Sequence, residues 1–180
     1  MKKHLIFLLP LLLSMLACRT LFPDKTIRSS TPTPVSVATS VLEATAFAPT
    51  PGFTLTRIYP KNGTLQSQLA AEVKKAKALG QTPFVEFDAT WCPPCQAITR
   101  SLADKNTLML NAYQGIYLIH ADVDEWGQET VATGFNADSI PVFYAVDSTG
   151  KSTGATVSGG AWNEDIPENM APVLKKFFHP

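Results

Sequence analysis

From Phe53 onward the apolar and polar positions alternate between strand-like and helix-like patterns. FTLTRIY (53–59) alternates as a half-buried strand does. Asn62-Gly63 marks a turn, and Thr64 stands where a helix cap belongs. Leu65, Leu69, Val73, Ala76 and Leu79 then recur at helical spacing, with Gly80 as the stop. PFVEFDA (83–89) is short and mostly apolar, the pattern of a strand covered on both faces. The next helix is predicted to carry Ile98, Leu102 and Leu108. GIYLIHADV (115–123) predicts a second buried strand, and 125–134 a short helix. PVFYAVD (141–147) and STGATVSG (152–159), joined by a Ser-Thr-Gly turn, predict a hairpin. Ile166, Met170, Val173, Leu174 and Phe177 form the core stripe of a closing helix. The order βαβαβαββα predicts an α/β fold, a mixed central sheet covered by helices on both faces.

Upstream the pattern changes. Lys2, Lys3 and His4 precede LIFLLPLLLSMLA (5–17), an apolar run too short, with its Pro10, to span a bilayer. It reads as a secretory signal peptide covering 1–17. Met15-Leu16-Ala17-Cys18 resembles a bacterial lipobox, which implies cleavage before Cys18 and diacylglycerol on its sulfur. The alternative is a plain signal peptide with an incidental cysteine. Residues 18–52 are rich in Ser, Thr and Pro, and between 29 and 51 only Glu43 is charged. Such a stretch buries too little apolar surface to offset its ordering entropy and reads as a tether before a folded domain at 53–180. About 35 such residues give a mean reach of roughly 30–35 Å.

Charge adds an exclusion. Lys+Arg and Asp+Glu are both 15, so no basic excess points to nucleic acid. Cysteine adds more. There are three, and lipid on Cys18 leaves Cys92 and Cys95 as a pair outside the reducing cytosol.

That pair sits in ATWCPPCQAI (89–98). A structural zinc site needs four ligands, and there is one CxxC with His120 and His179 far apart in sequence. A structural staple closing so small a loop contributes only about 2 kcal/mol. A redox pair fits best. Cys92 falls where a buried strand hands over to a helix, whose dipole and free N–H groups stabilise a thiolate. Pro93 and Pro94 suit the first helical turn. Cys95, one turn in, can resolve a mixed disulfide formed at Cys92. Trp91 offers an apolar platform for a peptide, or simply packs in the core. Pro93 lacks an N–H that could reach the thiolate, so it is expected to make the pair more reducing.

WCPPC after a strand, with Ser139-Ile140-Pro141 downstream, resembles the thioredoxin family. AKALGQTPFVEFDATWCPPC (76–95) is similar to bacterial extracytoplasmic thioredoxin-like domains, including the C-terminal domain of membrane thiol:disulfide interchange proteins. The resemblance covers 53–180. It implies a thioredoxin-like fold and a cis Pro141 that presents the Ile140 backbone to substrate beside Cys92. Glu86, six residues before Cys92, matches the family's buried acid, and His120 its basic position on the adjoining strand. Parallel neighbouring strands would put both on one face, unless either points to solvent at a strand end. Glu86 is then expected to accept the Cys95 proton, with burial raising its pKa, and His120 to tune the step. The pattern departs from ordinary thioredoxins at Pro93, where they carry glycine, and the span from Cys95 to Pro141 leaves no room for the helical insertion of strong periplasmic oxidants.

The function expected is a membrane-tethered thiol–disulfide oxidoreductase that reduces or isomerises disulfides of exported proteins. It needs no cofactor, because the cysteine pair carries the electrons, and no metal. It needs a membrane electron-transfer partner. The alternatives are a disulfide-forming oxidant and a non-catalytic binding or chaperone module.

Overall fold

Strand register decides which side chains meet in this molecule, a computed structural model that describes residues 52–180. Cys18, the expected signal and the expected tether up to residue 51 lie outside the described residues. The elements run β1 (Thr54–Arg57), α1 (Leu65–Ala78), β2 (Thr82–Asp88), α2 (Pro93–Ala103), α3 (Thr107–Tyr113), β3 (Ile116–Asp122), α4 (Val123–Trp126), α5 (Gln128–Ala132), β4 (Val142–Val146), β5 (Ser152–Ser158) and α6 (Pro167–Phe178). The sheet order is β1-β3-β2-β4-β5. β1 and β2 run parallel to β3, and β4 runs antiparallel to both β2 and β5. It is the mixed sheet that the element order implies.

Successive strand side chains point to opposite faces, and each face has its own core. Val85, Phe87, Ile119 and Tyr144 pack with Leu65, Leu69 and Ala76 of α1 and with Trp126 of α4. Phe84, Leu118 and Phe143 pack on the other side with Ile98 of α2, Met109 and Tyr113 of α3, and Met170, Leu174 and Phe178 of α6. Helices therefore cover both faces. Thr64 caps α1 as expected, its hydroxyl accepting from the Ser67 N–H at 3.2 Å. The Gly52 carbonyl accepts from the Gly115 N–H at 3.2 Å and from Gln81 Nε2 at 2.7 Å, so the fold already includes Gly52.

Three boundaries differ from the sequence reading. α2 ends at Ala103, and Lys105 turns the chain with a φ of 57°. Asn106 then caps a separate α3, so Leu108 lies beyond α2 and is exposed. The helix expected over 125–134 is two short ones separated by Gly127, whose φ is 44°. α6 begins at Pro167, with Ile166 exposed as its N-cap and Phe178 taking the core position expected of Phe177.

Candidate active site

α2 starts at the cysteine pair because Pro93 and Pro94 fill its first two positions, where a missing N–H breaks no helical bond. Cys92 is the N-cap. It is bonded to Cys95 in a disulfide, with Cα atoms 5.3 Å apart. The Cys95 N–H also donates to Cys92 Sγ at 3.3 Å. An N-cap side chain accepts from the second or third helical position. The second is Pro94, so the donor missing at this sulfur is that of Pro94 rather than Pro93. Both cysteines are buried, packed with Ala89 against Val123 and Ile140.

The surface around the pair has two further parts. Trp91 is 61% exposed and not a core residue; its Nε1 donates to Asp124 Oδ2 at 2.7 Å. The Ile140–Pro141 peptide is cis, and the Pro141 carbonyl accepts from the Gly159 N–H at 2.9 Å. Ile140 thus lies against the disulfide, and the loop carrying it is held by the end of β5.

Beneath α2 lies a charged cluster. Glu86 and His120 are register partners on β2 and β3, and the alternation puts them on the Phe84–Leu118 face. Glu86 is buried, 1% exposed, and its Oε2 lies 3.4 Å from His120 Nδ1 without a hydrogen-bond partner. Neither residue points to open solvent. Burial pushes the Glu86 pKa up from 4.5 to about 7; the His120 charge draws it back, Asp88 adds to the rise, and Arg57 opposes it.

The sequence reading passed over two members of this cluster, Asp88 and Arg57. Arg57 Nη1 donates to Asp88 Oδ1 at 2.9 Å, and its Nη2 donates to Oδ2. His120 Nδ1 lies 3.0 Å from the same Oδ2. Burial disfavours the Asp88 charge, but the hydrogen bonds from His120 and Arg57 outweigh it and hold the carboxyl below its usual range. Burial likewise works against a charged His120, and Glu86 with Asp88 overcomes that to raise its pKa. The signal was available: Glu86 and Asp88 are two residues apart on one strand and so share a face.

Glu86, Asp88 and His120 each offer a donor atom within 4.8 Å of the others, as a metal site would. Arg57 already occupies both oxygens of Asp88, and a cation there would sit against its guanidinium. Two carboxylates set against Arg57 and His120 instead make a charge-balanced network. Among the described residues, no helix is long and apolar enough to cross a membrane.

The thioredoxin family model matches residues 64–177. An H-type thioredoxin of Oryza sativa is 30% identical over 78 residues, 43% of this chain and 59% of that one. A TxlA homologue of Synechocystis, named a thiol:disulfide interchange protein, is 29% identical over 99 residues, 52% of each. The chain thus spans about half the length of these curated relatives. Among solved structures, Trichomonas vaginalis thioredoxin aligns over 68% of this chain and 96% of its own, with 25% identity and a TM-score of 0.42.

Proposed function

This chain belongs to the thioredoxin family, and from that premise we propose that it is a membrane-tethered thiol–disulfide oxidoreductase that reduces or isomerises disulfides of exported proteins. The observation that carries the reading is the Cys92–Cys95 disulfide at the N-terminus of α2, inside the matched family region. The reduced Cys92 thiolate attacks one sulfur of a client disulfide. A Cys92–client mixed disulfide forms and the first client thiolate leaves. Cys95 then attacks Cys92 Sγ, the second client thiolate leaves, and the protein ends as its disulfide. Two electrons have passed to the client, and a membrane electron-transfer partner returns them. Trp91 and the Ile140–Pro141 backbone position the client chain. Glu86 accepts the Cys95 proton, its raised pKa making it a competent base near neutrality. His120 tunes that step, Pro93 and Pro94 start the helix at Cys92, and Pro94 withholds a donor from the thiolate. Lipid on Cys18 holds the domain at the extracytoplasmic face of the membrane.

Insulin reduction tests the chemistry. Wild type should be active and Cys92→Ser inactive; inactivity of both would favour a non-catalytic binding module. Alkylation of thiols in intact cells tests the direction: a mostly reduced pair supports the reductase, a mostly oxidised one the oxidant. Cys18→Ser should take up no labelled fatty acid, and labelling equal to wild type would remove the lipid anchor.

A further inference from the structure

Two facts about the buried carboxylates do not fit a direct transfer from Cys95 to Glu86. Glu86 is 1% exposed and is not among the residues lining the cleft beside Cys95. That cleft, about 330 Å³, is lined by Cys95, Asp88, Arg57, Thr99 and Arg100. At about 30 Å³ for each water, the cleft that Cys95 and Asp88 both line has room for several. The carboxylate that shares this cleft with Cys95 is therefore Asp88, and Asp88 reaches Glu86 through one atom. His120 Nδ1 lies 3.0 Å from Asp88 Oδ2 and 3.4 Å from Glu86 Oε2, the oxygen with no hydrogen-bond partner.

Resting on the thiol-exchange reading, we propose that Asp88, clamped by Arg57, is a positioning carboxylate that connects the sealed Glu86 to the Cys95 cleft, so that the Cys95 proton reaches Glu86 by way of Asp88 and His120. The proton leaves Sγ through cleft water to Asp88. The Nδ1 proton of His120 moves to Glu86 Oε2, and the proton on Asp88 replaces it. The net change is one thiolate at Cys95 and one neutral Glu86, with Asp88 and His120 restored. The thiolate then forms the Cys95–Cys92 bond as the Cys92–client bond breaks, and the electron pair leaves on the client sulfur. The unequal acids give the path its direction. Asp88 is held ionised by its two partners, whereas burial raises the Glu86 pKa to about 7, so an ionised Glu86 is the stronger proton acceptor of the two. The other charged or titratable groups near this path are Asp122, which acts on Arg57, Tyr113 on α3, which acts on Glu86, and Arg100, which lines the cleft.

Reduced full-length protein mixed rapidly with dithiobis(nitrobenzoate) separates the steps. The first nitrothiobenzoate appears when the mixed disulfide forms at Cys92, the second when Cys95 releases it. Asp88→Ala should leave the first phase unchanged and slow the second about a hundredfold or more, the lower part of what proton transfer contributes. Formate, small enough for the emptied space and attracted by Arg57, should restore the rate in Asp88→Ala and leave Glu86→Gln slow. Unslowed release, or slowed release indifferent to formate, overturns the proposal. Should Asp88→Ala fail to fold, Asp88→Asn decides: release must slow and the NMR titration midpoint of His120 must fall, and unchanged values overturn it. Wild type lacking either phase would sink the thiol-exchange reading itself. Normal release in Asp88→Ala, with release slowed in Glu86→Gln, would sink this inference alone.

Discussion

At Cys92 the identity of one neighbour decides how many donors reach the sulfur. The Cys95 N–H, at the third helical position, already bonds to it. The second position is Pro94, which has no N–H, and the first points along the helix away from a cap side chain. Pro94→Ala therefore adds a donor to the reduced thiolate while Pro93→Ala does not. A hydrogen bond to a charged group contributes roughly 1.5–3 kcal/mol. At about 1.4 kcal/mol per 30 mV for a two-electron couple, that is a rise of roughly 30–60 mV, since a better stabilised thiolate makes the dithiol easier to reach. A redox titration of the two variants against glutathione checks this. Equal shifts, or a larger one in Pro93→Ala, would refute the assignment. The residues themselves were legible in sequence, because the CxxC and the strand before it are local. Which proline matters was not, because it depends on where the first helical turn begins.

At the scale of elements, the strands were read closely and one helix was missed. Buried strands carry their signal in short apolar runs, so 83–89 and 115–123 lie within a residue or so of the observed β2 and β3. α3 was hidden because no Gly or Pro interrupts the run from Gln96 to Leu108, although Leu108, six residues after Leu102, falls off the stripe of Ile98 and Leu102. What separates the helices is a backbone event. Lys105 takes a left-handed conformation, and Asn106 Oδ1 accepts from the N–H groups of Leu108 at 3.0 Å and Met109 at 3.2 Å. The Asp-Lys-Asn stretch at 104–106 is the only sequence trace of it. Asn106→Ala removes both cap bonds and should lower stability by about 1 kcal/mol. Urea unfolding measures it, and an unchanged midpoint would show that packing of Met109 and Tyr113 holds α3 without its cap. Because α3 packs with α6 on the face that also holds Glu86, the activity of the same variant would report whether the site tolerates that loosening.

For the whole molecule, the cluster under α2 sets a cost as well as a function. Pairing Glu86 with His120 across parallel strands could be read from their offsets within each strand. The share of Arg57 could not, because its contact needs the register of β1 against β3, where Arg57 faces His120. An acid whose folded pKa exceeds its unfolded one binds more protons when folded, so its contribution falls as pH rises between the two values. For Glu86 the window runs from 4.5 to about 7, and a rise of that size corresponds to about 3 kcal/mol lost across it. His120 has the same sign. Its raised pKa contributes stability below its ordinary 6.5 that disappears as pH climbs through the folded value. Glu86→Gln removes the first loss. An ionised Glu86 also sustains the His120 charge, but only at the alkaline end of the window, so losing that partner takes back part of the gain there. In the oxidised protein, Glu86→Gln should be no more stable than wild type at pH 5 and more stable by roughly 1–3 kcal/mol at pH 8, the amide's own burial cost taking part of the difference. Asp88 leaves this window untouched, because its lowered pKa confines its contribution to more acidic pH. Urea unfolding of both proteins at pH 5 and pH 8 settles the matter. A stability difference independent of pH would mean that Glu86 does not change its protonation in this range, and its role as proton acceptor would fall with it.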